Sequence, residues 1–164
     1  MYVIREAMPQ DWPGIWTIFH DVVARGDTYA FAPDTDEAEA KCLWLDIPRA
    51  TYVALEGEVV VGTYYLKTNQ LGAGSHVCNA GYMVREDQRG RGLGRALCAH
   101  SLDVARTFGY HAMQFNFVAR TNVGAVKLWR DMGFEIAGVL PEAFNHPQKG
   151  YVDAFVMYRL LAAG

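Results

Sequence analysis

The spacing of apolar and polar positions predicts an ordered series of strands and helices along the chain. Runs of alternating, β-branched or aromatic residues predict strands at residues 2–7, 51–56, 59–67, 76–84, 113–118, 134–140 and 151–160. Apolar residues that recur every three or four positions predict helices from Pro9 through Val23, at 36–46, from Leu93 to Phe108 and at 122–132. The segments 25–34, 72–75 and 141–150 are predicted to be loops, because turn-forming residues interrupt them.

Residues 84–95 join the predicted central strand to the predicted long helix, and they read Val-Arg-Glu-Asp-Gln-Arg-Gly-Arg-Gly-Leu-Gly-Arg. Three glycines alternate within this turn: Gly90, Gly92 and Gly94. A glycine-rich turn at a helix start presents free backbone N–H groups, no Cβ obstruction and the positive end of the helix dipole. Three arginines add positive charge around it: Arg89, Arg91 and Arg95. The sequence therefore predicts a ligand that carries a phosphate or a pyrophosphate.

The spacing of these glycines narrows the choice of ligand. A P-loop needs Lys-Ser or Lys-Thr after its last glycine, and the dinucleotide fingerprint needs a third glycine where Arg95 stands. What remains, Arg89-x-x-Gly92-x-Gly94, resembles the R/Q-x-x-G-x-G/A signature of the GCN5-related N-acetyltransferase (GNAT) superfamily. In that superfamily the signature holds the pyrophosphate of acetyl-coenzyme A. The alternative is a glycine-rich turn that only caps an exposed helix.

A second motif supports the resemblance. Residues 122–134 resemble the superfamily's later motif, N-x-x-A-x-x-[LF]-Y-x-x-x-G-F, and the matching residues are Asn122, Ala125, Leu128, Gly133 and Phe134. One position departs from the motif, since Trp129 stands where the family usually has Tyr. The two motifs cover residues 82–134, and the similarity in element order extends over nearly the whole chain.

The resemblance implies an α/β (α+β) GNAT fold in one N-acetyltransferase domain over residues 1–164, with a mixed, mostly antiparallel central sheet flanked by helices. In that fold the strands carrying residues 79–84 and 114–116 splay apart, and acetyl-coenzyme A enters the gap. Gly81 is expected to mark a bulge or a close backbone approach, the alternative being a packing glycine. The resemblance places the following residues at the cofactor: Tyr82, Met83, Val84, Arg89, Gly90, Arg91, Gly92, Leu93, Gly94, Arg95, Asn122 and Trp129.

Acyl transfer to an amine requires that the amine lose a proton, that the oxyanion be stabilised and that the thiolate leave. In the family the Tyr at the position of Trp129 is thought to protonate the departing sulfur, whereas an indole N–H only donates a hydrogen bond. We therefore expect Trp129 to orient the thiolate or to belong to the core. No general base stands out, since His76 and His146 are expected at the surface or in turns.

Three asparagines are the candidate catalytic residues: Asn79, Asn116 and Asn122. Two of them lie inside strands, where Asn is disfavoured, and an amide buried without a partner costs about 1–3 kcal/mol. One expectation is that Asn79 and Asn116 hydrogen-bond to each other or to the backbone of the splayed strands. The other is that they face the substrate or hold a water molecule.

A closer resemblance bears on the acceptor. Residues 79–84, 113–118, 121–122 and 140–147 resemble the fungal N-acetyltransferases that detoxify azetidine-2-carboxylate and related proline analogues. This resemblance implies that Asn79 and Asn116 position the acceptor and that Asn122 orders a catalytic water. Besides these asparagines, four aromatic residues are expected to form apolar walls for the substrate: Tyr29, Phe31, Tyr65 and Phe144.

Composition limits the remaining choices. The chain has 164 residues, 51% of them hydrophobic, and a net charge of −3, which gives a nucleic-acid partner little electrostatic support. It lacks an apolar run of the roughly 18 residues that a membrane helix needs, and its three cysteines form no C-x-x-C pair. We expect a cytoplasmic protein without a metal and with no membrane partner, and a homodimer is left open.

Three functions remain open at this stage. The first is an acetyl-coenzyme A-dependent N-acetyltransferase that acts on a small-molecule amine or amino acid, for instance a proline analogue. The second is a protein or peptide N-acetyltransferase of the same fold. The third is a non-catalytic sensor that binds acyl-coenzyme A, a reading prompted by the missing Tyr.

Overall fold

Seven strands form one sheet in the computed structural model of the protein, which describes residues 1–161. The strands are β1 (Val3–Glu6), β2 (Ala50–Glu56), β3 (Val59–Thr68), β4 (Val77–Val84), β5 (Ala112–Ala119), β6 (Glu135–His146) and β7 (Gly150–Leu160). The helices are α1 (Trp12–Ala24), α2 (Glu37–Lys41, continued by a π-helical turn over Cys42–Asp46), α3 (Leu93–Thr107) and α4 (Val123–Asp131). The sheet order is β1-β2-β3-β4-β5-β7-β6, and within these residues only β4 and β5 pair in parallel. The expected mixed, mostly antiparallel sheet is confirmed.

The loop predicted over residues 141–150 is wrong, because β6 continues through most of that segment. Pro141 has no amide N–H to donate, and the register of β6 with β7 shifts between Leu140 and Phe144. Within this bulge Glu142 has a φ of 51°, and its N–H donates to Asp153 Oδ1 at 3.0 Å. The turn-forming residues lie within the bulge. Pairing of β6 with β7 resumes at Phe144, so the strand does not end there.

The two faces of the sheet are covered by different helices. Because side chains alternate between the faces of a strand, Tyr64 and Tyr82 belong to the core cluster under α3, whereas their neighbours Tyr65 and Met83 belong to the cluster under α1. The α1 cluster is centred on Trp44, which is fully buried. Each large apolar side chain buried in this way stabilises the fold by about 1.5–3 kcal/mol.

β4 and β5 pair over a short stretch and then separate. Their register covers Val77–Asn79 against Ala112–Gln114, although both strands continue beyond it. On its other edge β5 also loses register with β7, between Phe115 and Val118. The expected splayed central strands are therefore confirmed, and they leave a gap in the middle of the sheet.

Gly81 lies in β4 opposite Tyr65, and it does not mark a bulge, because the register of β3 with β4 is unbroken. A Cβ atom added to Gly81 would lie 2.7 Å from Tyr65 Cε1. The aromatic ring therefore packs directly on the glycine backbone. Of the two features expected at Gly81, the bulge is absent, and the close approach to the backbone is made by the Tyr65 ring, as for a packing glycine.

Replacing Gly81 by Ala should lower the free energy of unfolding by about 1–3 kcal/mol, because the new methyl group forces the Tyr65 ring to move. The matched control is Gly138→Ala, since Gly138 also lies in a strand but a Cβ there has no neighbour within 4 Å. That variant should be neutral or slightly stabilised. Urea unfolding of both proteins is the measurement, and equal stabilities would contradict the packing argument.

Candidate active site

The gap between β4 and β5 opens into two adjoining cavities. The strand-gap cavity, of about 460 Å³, lies between the separated strands, and the glycine-turn cavity, of about 550 Å³, lies at the start of α3. The residues that line both cavities are Thr28, Tyr29, Tyr82, Asn122, Ala125 and Trp129. Molecules bound in the two cavities would therefore meet at this shared wall.

The glycine turn has the geometry of an anion site. Gly90 and Gly92 have φ values of 73° and 84°, in the left-handed region that glycine adopts without strain. The Ala96 N–H donates to Gly92 O at 3.1 Å and is the first to bond within α3. The N–H groups before it have no helical partner, and they belong to Leu93, Gly94 and Arg95. These residues line the glycine-turn cavity, so unpaired donors and the helix dipole face the space where a pyrophosphate fits.

All the residues expected at the cofactor line the glycine-turn cavity except Arg91. The Arg91 guanidinium lies 3.4 Å from the carboxylate of Glu56, so its charge is balanced outside the cavity. Arg95 lines the cavity but lies 3.4 Å from Asp131. Arg89 also lines it and makes no salt bridge within residues 1–161, so it brings an unbalanced positive charge to the cavity.

The gap-facing edge of β4 is capped by a side chain. Successive residues of a strand direct their N–H and C=O groups to opposite edges. Because the Arg85 N–H donates to Val61 O of β3, the N–H and C=O groups of Val84 and Tyr82 point to the other edge, toward the gap. The Tyr29 hydroxyl accepts from the Tyr82 N–H at 2.7 Å and donates to the Tyr82 carbonyl at 2.6 Å. The Tyr82 N–H is thus already engaged, which leaves Val84 as the neighbouring gap-facing donor.

The loop after α1 forms one wall of the strand-gap cavity. Its two aromatic residues look exposed in the sequence, but the rings of Tyr29 and Phe31 stack 5.6 Å apart and Phe31 lies 5.5 Å from Phe19 of α1. The Tyr29 ring also meets Trp44 edge-on at 6.2 Å. Burial raises the pKa of Tyr29 well above its usual value, so its hydroxyl stays protonated.

Asn79 lies at the point where β4 and β5 part. Its Nδ2 group donates to the Gln114 carbonyl at 2.9 Å, and its Oδ1 accepts from the Tyr65 hydroxyl at 3.1 Å. The side chain therefore satisfies strand backbone freed by the separation, which was one of the two roles expected for it. Asn79 and Tyr65 both line the strand-gap cavity, and their contact with a substrate stays a prediction.

Asn116 lies on β5 at the exposed side of the same cavity. Its Oδ1 accepts from Gln114 Nε2 at 2.8 Å, and its Nδ2 donates to Asn69 Oδ1 at 2.7 Å. These amides form a hydrogen-bonded chain from β5 to the end of β3. Asn116 does not bond Asn79, so the expectation that the two side chains satisfy each other is not met.

Asn122 is the N-cap of α4 and lines both cavities. Its Oδ1 accepts from the Ala125 N–H at 3.4 Å, a long bond that restrains the side chain weakly. The cap accounts for an asparagine at this position. Its expected role in ordering a water stays a prediction.

Phe144 does not belong to the site. Its side chain is buried in the β6–β7 hairpin against Phe117, at 6.1 Å between ring centroids, and it does not line the strand-gap cavity. The sequence analysis expected it there as one of four aromatic residues that would form apolar walls for the substrate. Phe117 and Lys67 line the cavity instead, and neither was predicted. Finding them requires the strand register, which the sequence pattern does not give.

Trp129 packs in the core, one of the two roles left open for it, while its role in orienting the thiolate stays a prediction. Its ring lies 4.9 Å from the rings of both Tyr82 and Phe115 in the core under α3, and it also lines both cavities.

The described residues that line the strand-gap cavity include no carboxylate and no histidine. Burial raises the pKa of Tyr65 to about 12, so this hydroxyl is a weak acid.

Two further findings concern residues 1–161 only. No three His, Cys, Asp or Glu side chains among them form a group that would hold a metal ion. None of their helices is both long enough and apolar enough to span a bilayer.

Two comparisons place this geometry among solved structures. A GCN5-related N-acetyltransferase from Kribbella flavida is 42% identical and superimposes with a TM-score of 0.92 over 97% of both chains. A phosphinothricin acetyltransferase from Sinorhizobium meliloti, solved with acetyl-coenzyme A, has a TM-score of 0.88, covering 99% of this chain and 90% of that one. At 21% identity the second similarity concerns the fold alone.

Sequence comparisons agree. The chain is 32% identical to the L-methionine sulfoximine/L-methionine sulfone acetyltransferase of Pseudomonas aeruginosa over 146 residues, or 85% of this chain and 83% of that protein. It is 36% identical over 98 residues to the N-acetyltransferase aca1 of Schizosaccharomyces pombe, and this match covers 59% of the chain but only 47%, about half, of that relative. Residues 10–134 match the model of the acetyltransferase (GNAT) family. The chain therefore belongs to the acetyltransferase (GNAT) family, whose members use acetyl-coenzyme A as co-substrate.

Proposed function

We propose that the protein transfers the acetyl group of acetyl-coenzyme A to the amine of a small molecule. The observation that carries this proposal is the shared wall of the two cavities at Tyr82 and Trp129. One cavity has the anion-binding turn that suits the cofactor, and the other is a space of about 460 Å³ lined by aromatic rings and amides. A volume of this size is in the range of small-molecule sites.

The residues of the glycine turn fit the pyrophosphate. The unpaired N–H groups of Leu93, Gly94 and Arg95 would hold it, and Arg89 would balance part of its charge. Bound acetyl-coenzyme A supplies an acetyl group that is activated as a thioester. Val84 would hold the cofactor along the open edge of β4 through its gap-facing N–H.

In this proposal, neutral groups accept the proton that the acceptor amine loses. The strand-gap cavity offers amide side chains from Asn79, Asn116 and Asn122, with no carboxylate or histidine among its described lining residues. A water held by Asn122 would carry the proton away from the amine. Trp129 would orient the sulfur through its indole N–H but would not protonate it.

The relatives support a small acceptor. The Pseudomonas enzyme is named for the free amino-acid derivatives L-methionine sulfoximine and L-methionine sulfone. The resemblance of residues 79–84 and 113–118 to the fungal enzymes adds azetidine-2-carboxylate as a specific candidate. A peptide acceptor and a non-catalytic sensor are the outcomes that would contradict the proposal.

The proposal is tested by a panel of acceptors with acetyl-coenzyme A, and mass spectrometry of the N-acetylated product is the readout. We expect turnover of at least one of L-methionine sulfone, L-methionine sulfoximine and azetidine-2-carboxylate. Peptide N-termini and lysine-containing peptides should react at least tenfold more slowly. Turnover of peptides alone would favour the protein-modifying function, and cofactor binding without any turnover would favour a sensor.

The assignment of the glycine turn predicts the effect of Gly92→Asp. Saturating acetyl-coenzyme A should raise the Tm of the natural protein by about 5–10 °C through mass action. In Gly92→Asp the new carboxylate repels the pyrophosphate and a Cβ enters the turn, so this increase should disappear. The control is Gly57→Asp, because Gly57 also has a positive φ of 63° with no neighbour within 4 Å, but lies in the β2–β3 turn. A full cofactor shift in Gly92→Asp would overturn the assignment.

The role of Asn122 can be separated from its role as a helix cap. Asn122→Ala removes both the cap and the amide, and it should cost about 1 kcal/mol of stability. Asn122→Ser restores a capping hydroxyl, so it should regain most of that stability. If the amide holds the water, kcat should fall about 10- to 100-fold in both variants. Recovery of kcat in Asn122→Ser would show that Asn122 acts only as a cap.

A further inference from the structure

One charged side chain in the strand-gap cavity has no role in the function proposed so far. Lys67 of β3 is the one Lys, Arg, Asp or Glu among the described residues that line this cavity. Its ammonium lies 5.3 Å from the centroid of the Tyr65 ring. Within residues 1–161 it makes no salt bridge, in contrast to Lys127, which lies 2.7 Å from Asp131.

The register of the sheet places this charge at the end of the cavity away from the cofactor. Lys67 pairs with Asn79, the last residue of β4 that is in register with β5. Tyr82, which lines both cavities, lies three residues further along β4, or about 10 Å at the rise of a strand. A small acceptor whose carboxylate met Lys67 would extend over this distance with its amine toward Tyr82.

The neighbours of Lys67 make this end of the strand-gap cavity polar. The cavity lining offers the amides of Asn79 and Asn116 there. Asn69, which directly follows β3, accepts from the Asn116 side chain at 2.7 Å. An anion at this point would meet one cation and the second N–H of the Asn79 and Asn116 amides, whose first N–H groups bond the Gln114 carbonyl and Asn69 Oδ1. A second ammonium group of a diamine or a lysine side chain would be repelled there by the like charge of Lys67.

We propose that Lys67 binds the carboxylate of the acceptor and restricts the enzyme to small α-amino acids, a role that rests on the small-molecule N-acetylation proposed above. Lys67 is then a specificity-determining residue. It contacts the acceptor equally before and during the reaction, so it governs KM and not kcat.

The test uses pairs of acceptors that differ only in the carboxylate: L-methionine sulfone against 3-(methylsulfonyl)propan-1-amine, and azetidine-2-carboxylate against azetidine. The natural protein should favour the carboxylate member at least tenfold in kcat/KM. Lys67→Met should raise KM for that member about 10- to 100-fold, with kcat and the activity on the plain amine nearly unchanged. Lys67→Arg should keep the preference. The control Lys41→Met removes an exposed charge of α2 that lines neither cavity, and it should change nothing.

A second readout separates this inference from the proposed function. Calorimetric binding of L-methionine sulfone in the presence of coenzyme A needs no turnover, and Lys67→Met should weaken that binding by the same factor. Binding that depends on Lys67 without any turnover would refute the proposed function and retain the anion site. Turnover with the same carboxylate preference in the natural protein and in Lys67→Met would refute the role of Lys67 alone. Absence of both binding and turnover would refute both.

Discussion

The separation of β4 from β5 is the constraint on which the rest of the site depends. Parting two central strands exposes backbone groups, and each one left unsatisfied costs about 1–3 kcal/mol. The protein meets this cost with side chains: Asn79 bonds the Gln114 carbonyl, and the Tyr29 hydroxyl bonds both backbone groups of Tyr82. The gap is therefore a stable feature of the fold, held open by polar side chains that also line the cavities.

The capping of the gap links it to the α1 side of the core. Tyr29 reaches β4 because its loop is held against Phe19 and Trp44 by aromatic contacts. Trp44 is held in turn by its indole N–H, which donates to Thr63 Oγ1 at 3.1 Å. Packing of the residues behind Tyr29 thus helps to determine where the shared wall of the two cavities lies. A substitution of Phe19 or Trp44, which line neither cavity, would therefore change the cavities indirectly.

The two cavities differ in the kind of recognition they offer. The glycine-turn cavity binds through backbone donors and a helix dipole, which fit a pyrophosphate whatever acyl group it carries. The strand-gap cavity offers aromatic rings, amides and the single cation Lys67 among its described lining residues, so it selects by shape and by charge. In the proposed function, the family's common chemistry depends on the first cavity and the choice of acceptor on the second.

The sequence by itself determined the element order and the position of the glycine turn, because both depend on the spacing of apolar residues and glycines over short stretches of the chain. The left-handed φ of Gly92 and the cap at Asn122 follow from residue types whose backbone preferences are local. The sequence did not determine register, and the errors have that cause. Phe144 was assigned to the site, and Lys67 was missed, because the register of the paired strands decides which side chains lie side by side on one face of the sheet. That pairing is settled by tertiary packing, which brings Lys67 opposite Asn79 and buries Phe144 in a hairpin.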